Sequence, residues 1–204
     1  QFMRATYLIS YDTRDYRRYP LKGLRIQGAF QQDGLGLVNE EGLSLFTTSL
    51  EYCQHFKLGK RTYWAHSIAG KANLDRAPYY LTQGLGYSKF VRGYEFYVID
   101  GYRRALLRSN FKVEVMKPKA VQIPFVPTER FSKTFFAVYA NLFFDAGYVD
   151  GADFETSNSL VNEYLYSLGA GIDVVTYYDK VIRIEASLNG LGETNIFFHF
   201  KQAF

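Results

Sequence analysis

In "IFFHFKQAF" (196–204) two kinds of side chain take turns: Ile196, Phe198, Phe200 and Phe204 share one face, with Gln202 the exception, and Phe197, His199, Lys201 and Ala203 share the other. A repeat of two belongs to an extended strand, because a 3.6-residue helical repeat would scatter those aromatics around the axis. The habit recurs along the chain. "VIRIEASL" sets Ile182, Ile184, Ala186 and Leu188 against Arg183, Glu185 and Ser187, and "NGLGETN" joins it to the last segment as a hairpin. "TFFAVYANLFFD" puts Phe136, Val138, Ala140, Leu142 and Phe144 opposite Phe135, Ala137, Tyr139, Asn141, Phe143 and Asp145. "ALLRSNFKVEV" and "LYSLGAGIDVV" alternate likewise, and "ATYLISY", "GLRIQGAF", "LSLFTTSLEYCQHF" and "RTYWAHSIAGKANL" repeat the pattern upstream, the last with an ambiguous face. The pattern predicts an all-β chain of about eight or nine antiparallel strands and no helix.

A soluble sandwich also alternates, but two features point to a transmembrane β-barrel. Arg104, Arg108, Lys112 and Glu114 follow one another on one face of a single strand while the opposite face stays apolar. The predicted strands run to roughly ten residues, the span of a tilted membrane strand and longer than the usual soluble one. No apolar run is long enough for a membrane helix, a test to which barrel strands are blind. Connections are uneven: tight at 58–60 and 178–180, long at 33–42, 75–100 and 146–163, as expected of short periplasmic turns alternating with long outer loops. Nine is an odd count where single-chain bacterial barrels are even, so the chain reads as part of a larger barrel. We treat 1–204 as one unit with a long loop at about 75–100.

The remaining composition narrows the function. Net charge is +4 with both signs interspersed, which gives no electrostatic footprint for nucleic acid. The lone Cys53 has no internal disulfide partner. "QFMRATYLIS" has no charged n-region or cleavage site, so an exported protein would be represented here in mature or truncated form. His55, His66 and His199 lie on separate predicted strands without metal-ligand spacing. No G-x-S-x-G elbow occurs, and nothing makes Ser187, His199 and Asp173 converge. The expectation is no enzyme, no metal and no cofactor.

The loop carries the most specific signal. "FVRGYE" (90–95) resembles the V-R-G-F/Y signature of the outer-membrane insertase and translocase superfamily typified by BamA, TamA and the two-partner-secretion transporters. "YDTRDYRRYPLKGLRIQGAF" (11–30) is similar to that family's strand–turn–strand with P-x-x-G. "LFFDAGYV" (142–149) resembles its F-x-D-x-G strand, "SLGAGIDV" (167–174) the next, and "LGETNIFFHFKQAF" (191–204) the closing strand with terminal Phe. The matches run in order over nearly the whole chain, as the C-terminal half of the family's 16-stranded barrel.

The resemblance implies that the loop folds into the lumen and sets Arg92 against the wall at Asp145, with Val91, Gly93 and Tyr94 completing the contact. Relatives often carry a second, glutamate partner on the strand after the loop. Asn110 stands at that place here, so either Asp145 holds the arginine alone or Glu114 substitutes. The resemblance further implies a bacterial outer-membrane protein-assembly factor that inserts barrel clients at a lateral seam beside the last strand, lined by Ile196, Phe198, Phe200 and Phe204. Its partners would be client outer-membrane proteins, membrane lipids and periplasmic or lipoprotein accessory subunits, with no nucleic acid. The alternatives are a polypeptide translocation pore of the two-partner-secretion type, or a short barrel that self-associates.

Overall fold

The computed structural model describes residues 2–34, 42–122, 133–154, 158–176 and 180–200. Phe204, and Tyr178 and Asp179 of the expected tight turn, lie outside the described residues. The strands are β1 (Arg4–Asp12), β2 (Gly23–Asp33), β3 (Leu45–Lys57), β4 (Thr62–Asn73), β5 (Gln83–Leu85), β6 (Ile99–Asp100), β7 (Arg103–Gln122), β8 (Lys133–Asp150), β9 (Leu165–Thr176), β10 (Val181–Asn189) and β11 (Thr194–His199). Nine of them form one antiparallel sheet in the order β1-β2-β3-β4-β7-β8-β9-β10-β11, and β5 and β6 pair separately. Among the described residues there is no α-helix, only 3-10 turns at Tyr79–Leu81 and Ala152–Phe154.

The expected all-β class and nine-stranded antiparallel order are therefore present. Boundaries differ at β7, at β8 and in the long loop: β7 continues past Val115 to Gln122. β8 runs through Asp150, so the connection expected from 146 begins later. The loop read as irregular over 75–100 contains the β5–β6 ribbon. Alternation could not show this ribbon, because its strands are too short to display a period.

We call the end carrying residues 74–102 the upper end. Strand directions then put the described residues 34, 42–44, 151–154, 158–164 and 190–193 at the upper end, and 13–22, 58–61 and 180 at the lower. β7 and β8 continue toward the lower end past their neighbours: β4 stops opposite Val113 and β9 stops opposite Phe136, while the β7–β8 ladder reaches Gln122 and Lys133. β1 and β11 are the sheet edges, and among the described residues no pairing joins them.

The burial of this sheet is reversed relative to a soluble one. On β10, Val181, Arg183, Glu185, Ser187 and Asn189 are buried, while Ile184, Ala186 and Leu188 are bare. On β8, Asn141 and Asp145 are buried but Leu142 is 60% exposed. On β7, Asn110, Lys112 and Glu114 are covered while Leu107, Phe111 and Val113 are not. Register lines these residues into rows across the inner face: Arg108–Asp145–Ser167, then Asn110–Phe143–Gly169–Ser187, then Lys112–Asn141–Gly171–Glu185–Phe197, then Glu114–Tyr139–Asp173–Arg183–His199. The cover is the chain itself. The 74–102 segment lies over these rows from the upper end, and the β1–β2 turn brings Tyr19 onto them from the lower end. In a flat sheet β2 and β9 would stand roughly 24 Å apart. Tyr19, four residues before β2 begins, is buried with its hydroxyl 2.8 Å from Asp173 of β9, so the sheet curves around its own loops.

Candidate loop-anchor site

Buried among these rows, Arg92 meets Asp145 through three hydrogen bonds. Nε donates to Oδ2 at 2.8 Å, Nη2 to Oδ1 at 2.5 Å and the backbone N–H to Oδ2 at 3.2 Å. Nη1 donates both to Asn110 Oδ1 at 3.2 Å and to Glu185 Oε1 at 3.0 Å. The guanidinium lies over the Phe143 ring, 3.8 Å from its centroid. These contacts fall in three successive rows on β8, β7 and β10, and only a planar fork of donors can serve all three. An arginine–carboxylate pair at 4 Å attracts by about 4 kcal/mol at an effective dielectric of 20. Burying both charges offsets much of that, so the contact chiefly fixes where the loop sits.

The rest of the motif is held by shape. Val91 fits over Gly147, where an added Cβ would come within 2.5 Å of Val91 Cγ2. Gly93 has φ +87°, and its carbonyl accepts from Asn189 Nδ2 at 2.9 Å. That φ favours glycine, and an added Cβ would also press on Ser187 Oγ at 3.1 Å. Tyr94 is buried, and its hydroxyl accepts the Gly190 N–H at 3.0 Å. Gly169 and Gly171 leave room for Phe143 and Glu185, whose atoms would lie 2.4 and 2.8 Å from a Cβ there.

The structure thus brings Val91, Arg92, Gly93, Tyr94, Asp145 and Asn110 together. Glu114 is not among them. It lies two rows lower, beside Tyr139, and no bond joins it to Arg92 among the described residues. The second carboxylate is Glu185 of β10, which reading along β7 could not find, since a partner 93 residues away requires the strand order. Ile196, Phe198 and Phe200 sit on the bare face of the β11 edge.

Glu185 also ties the anchor to its neighbours. Arg183 Nε is 3.5 Å from Glu185 and binds Asp173 in fork geometry at 2.6 and 2.9 Å. Asp173 in turn accepts from Tyr19, whose ring packs at a tilt against Tyr139 with centroids 5.0 Å apart and lies under the Lys112 ammonium at 4.3 Å. His199 Nε2 of β11 lies 3.1 Å from Glu95 of the loop and 3.7 Å from Glu185. Arg108 is 3.6 Å from Asp145, bonds the Phe90 carbonyl and covers the Phe90 ring. One ionic network therefore joins the loop to β7, β8 and β10, with His199 of β11 beside it.

At the upper rim, Tyr87 donates to Asp100 Oδ1 at 2.5 Å, and that bond pushes its hydroxyl up to about 12. Tyr97 donates to Glu193 Oε1 at 2.7 Å and Asn189 to Oε2 at 2.7 Å, which together hold the Glu193 carboxyl below its ordinary range. Among the described residues no three His, Cys, Asp or Glu side chains are grouped to hold a metal. Ser187, His199 and Asp173 share the inner face but form no triad, because Asp173 is bound by Arg183 and Tyr19 and His199 faces Glu95. Neither a family model, nor a curated protein, nor a solved structure matches this chain.

Proposed function

We propose that the chain is the C-terminal half of an outer-membrane β-barrel that folds and inserts client barrel proteins beside its last strand. The observation carrying this reading is the pairing of an ionic, loop-filled inner face with a bare apolar outer face. Leu142, Leu168, Ile196 and Phe198 are all more than half exposed, while Asp145 and Asp173 are fully covered. Water would make that distribution costly, and lipid makes it favourable. Aromatics stand outward near both ends, Tyr148, Tyr164 and Tyr166 at the upper and Tyr11, Phe56 and Trp64 at the lower, like the girdles of a membrane barrel. The Trp64 indole N–H is satisfied by Ser109 Oγ at 2.9 Å, as a lipid-facing donor needs to be.

The function follows from the β11 edge. Its unpaired backbone groups can add a client strand by β-augmentation. His199 Nε2 on that edge lies 3.1 Å from Glu95 Oε1 of the anchored loop, so loop and seam adjoin. No nucleotide or metal enters this scheme, because client folding and lipid burial supply the driving force. The pore alternative uses the same barrel with the loop displaced from the lumen.

The test is reconstitution of the full-length protein carrying a photo-crosslinker at Ile196, challenged with a urea-unfolded barrel client. Faster client folding with adducts at 196 is the expected result. Folding at the rate of empty vesicles, with no adduct, would overturn the insertase reading, and adducts only at inner-face positions such as Ser187 would favour the pore.

A further inference from the structure

The mild, interspersed charge of the sequence is sorted by the fold. Every described connection at the lower end is basic and exposed: Arg17, Arg18 and Lys22 between β1 and β2, Lys60 and Arg61 between β3 and β4, and Lys180 before β10. Lys57 at the end of β3, and Lys117 and Lys119 on the projecting part of β7, are exposed beside them. None of these side chains is in an ion pair among the described residues. The carboxylates nearby among the described residues are engaged elsewhere: Asp12 binds Arg14 at 2.8 Å, Asp15 accepts the N–H groups of Tyr16 and Leu21 at 2.9 and 3.0 Å, and Glu114 is buried. The upper end is the reverse. Asp75, Asp100, Glu163 and Glu193 stand there, and its Arg76 and Arg103 lie 3.9 and 3.7 Å from Asp153 and Asp150.

We propose that the lower end is a docking surface for the phosphate headgroups of anionic phospholipid. The cations occupy turn after turn from β1 to β10, so they form a collar rather than one patch. A collar matches the headgroup layer that surrounds a barrel, whereas a protein partner docks on a local surface. Just above it, on the bare apolar face, stand Tyr11, Phe56 and Trp64, and aromatic rings topped by long basic side chains are the arrangement that spans acyl chains and headgroups together. An anionic surface attracts such side chains through a term that adds with each cation and is screened by salt. The assignment to phospholipid, not to the phosphates of an outer-leaflet saccharolipid, rests on the proposed function, which turns the lower end toward the periplasm.

The experiment is native mass spectrometry of the detergent-solubilised protein with equal phosphatidylglycerol and phosphatidylcholine, and separately with lipid A. The native protein is expected to retain phosphatidylglycerol over phosphatidylcholine by about tenfold, a preference fading as salt rises. Reversal of Arg17→Glu, Arg18→Glu, Lys117→Glu and Lys119→Glu should level the two lipids and leave lipid A retention unchanged. Reversal of Arg76→Glu and Arg103→Glu at the other end should leave the preference intact. The salt series needs no variant, so a misfolded mutant does not blunt the test. Equal retention by the native protein, or a preference that survives the fourfold reversal, overturns the headgroup proposal, and equal retention with salt-sensitive capture of poly-glutamate assigns the collar to an acidic protein. Loss of lipid A binding in the fourfold variant overturns the choice of leaflet. Retention of no lipid at all would instead sink the membrane reading on which both proposals stand.

Discussion

Arg92 is the residue on which the loop turns, because it answers two buried carboxylates at once. Replacing it with Ala leaves Asp145 with Arg108 at 3.6 Å and Glu185 with Arg183 at 3.5 Å, both poorer partners. We expect Arg92→Ala to destabilise loop docking by about 3 kcal/mol, and Arg92→Lys to recover little of it because an ammonium lacks the fork. Limited proteolysis within 85–98 reads this directly, and native-like resistance in both variants would contradict it. At the rim, the folded carboxyl of Glu193 titrates below the unfolded one, so its bonds contribute stability above the ordinary glutamate range and lose it as pH falls through the lowered value. Acidification should therefore loosen the Tyr97–Glu193 contact, and Glu193→Gln should remove that pH dependence, as followed by hydrogen exchange at 94–98. Asp145 was legible as an inward residue from alternation alone. Glu185 was equally inward in the sequence, but only the rows show that β10 curves back to β8 and the loop.

Among the elements, β8 does most to seat the loop, and it does so by what it omits. Gly147 lies beneath both Val91 and Leu85, whose atoms would be 2.5 and 2.9 Å from an added Cβ. Val91 and Leu85 are themselves buried, so neither can swing away cheaply. Gly147→Val should overpack this point by about 1–3 kcal/mol and expel the loop while leaving the β7–β8 ladder in place. Cleavage within 85–98 with unchanged strand content by circular dichroism is the expected pair of observations, and intact loop protection would refute the account. Strands of nine or more residues were legible because alternation persists through them, and the face of β4 became unambiguous only when Tyr63, Ala65 and Ser67 proved buried and Trp64 and Ile68 bare. The β5–β6 ribbon and the lower extension of β7 were not legible. The first is too short for a period, and in the second Lys117, Pro118 and Lys119 interrupt the alternation.

For the molecule as a whole, the decisive quantity is the parity of the sheet. Among the described residues, nine antiparallel strands give two edges, β1 and β11, that run in the same direction. Pairing them with each other, or β11 of one copy with β1 of an equally oriented second copy, would require a parallel ladder, which the even-stranded single-chain barrels of bacterial outer membranes do not contain. An odd number of further strands keeps every pairing antiparallel, which favours the half-barrel reading over self-association of this segment. All nine residues of β1 are exposed, so this edge lacks cover on its faces as well as a partner on its side. In lipid such an edge is untenable, so it must be paired in the working assembly. Amide exchange of this segment alone in detergent should therefore be fast at the outward N–H groups of β1 and β11 and slow in β8, which is flanked on both sides. Protection of β1 equal to that of β8 would mean that the segment closes on itself or on a copy, and the self-associating barrel would then replace the insertase half.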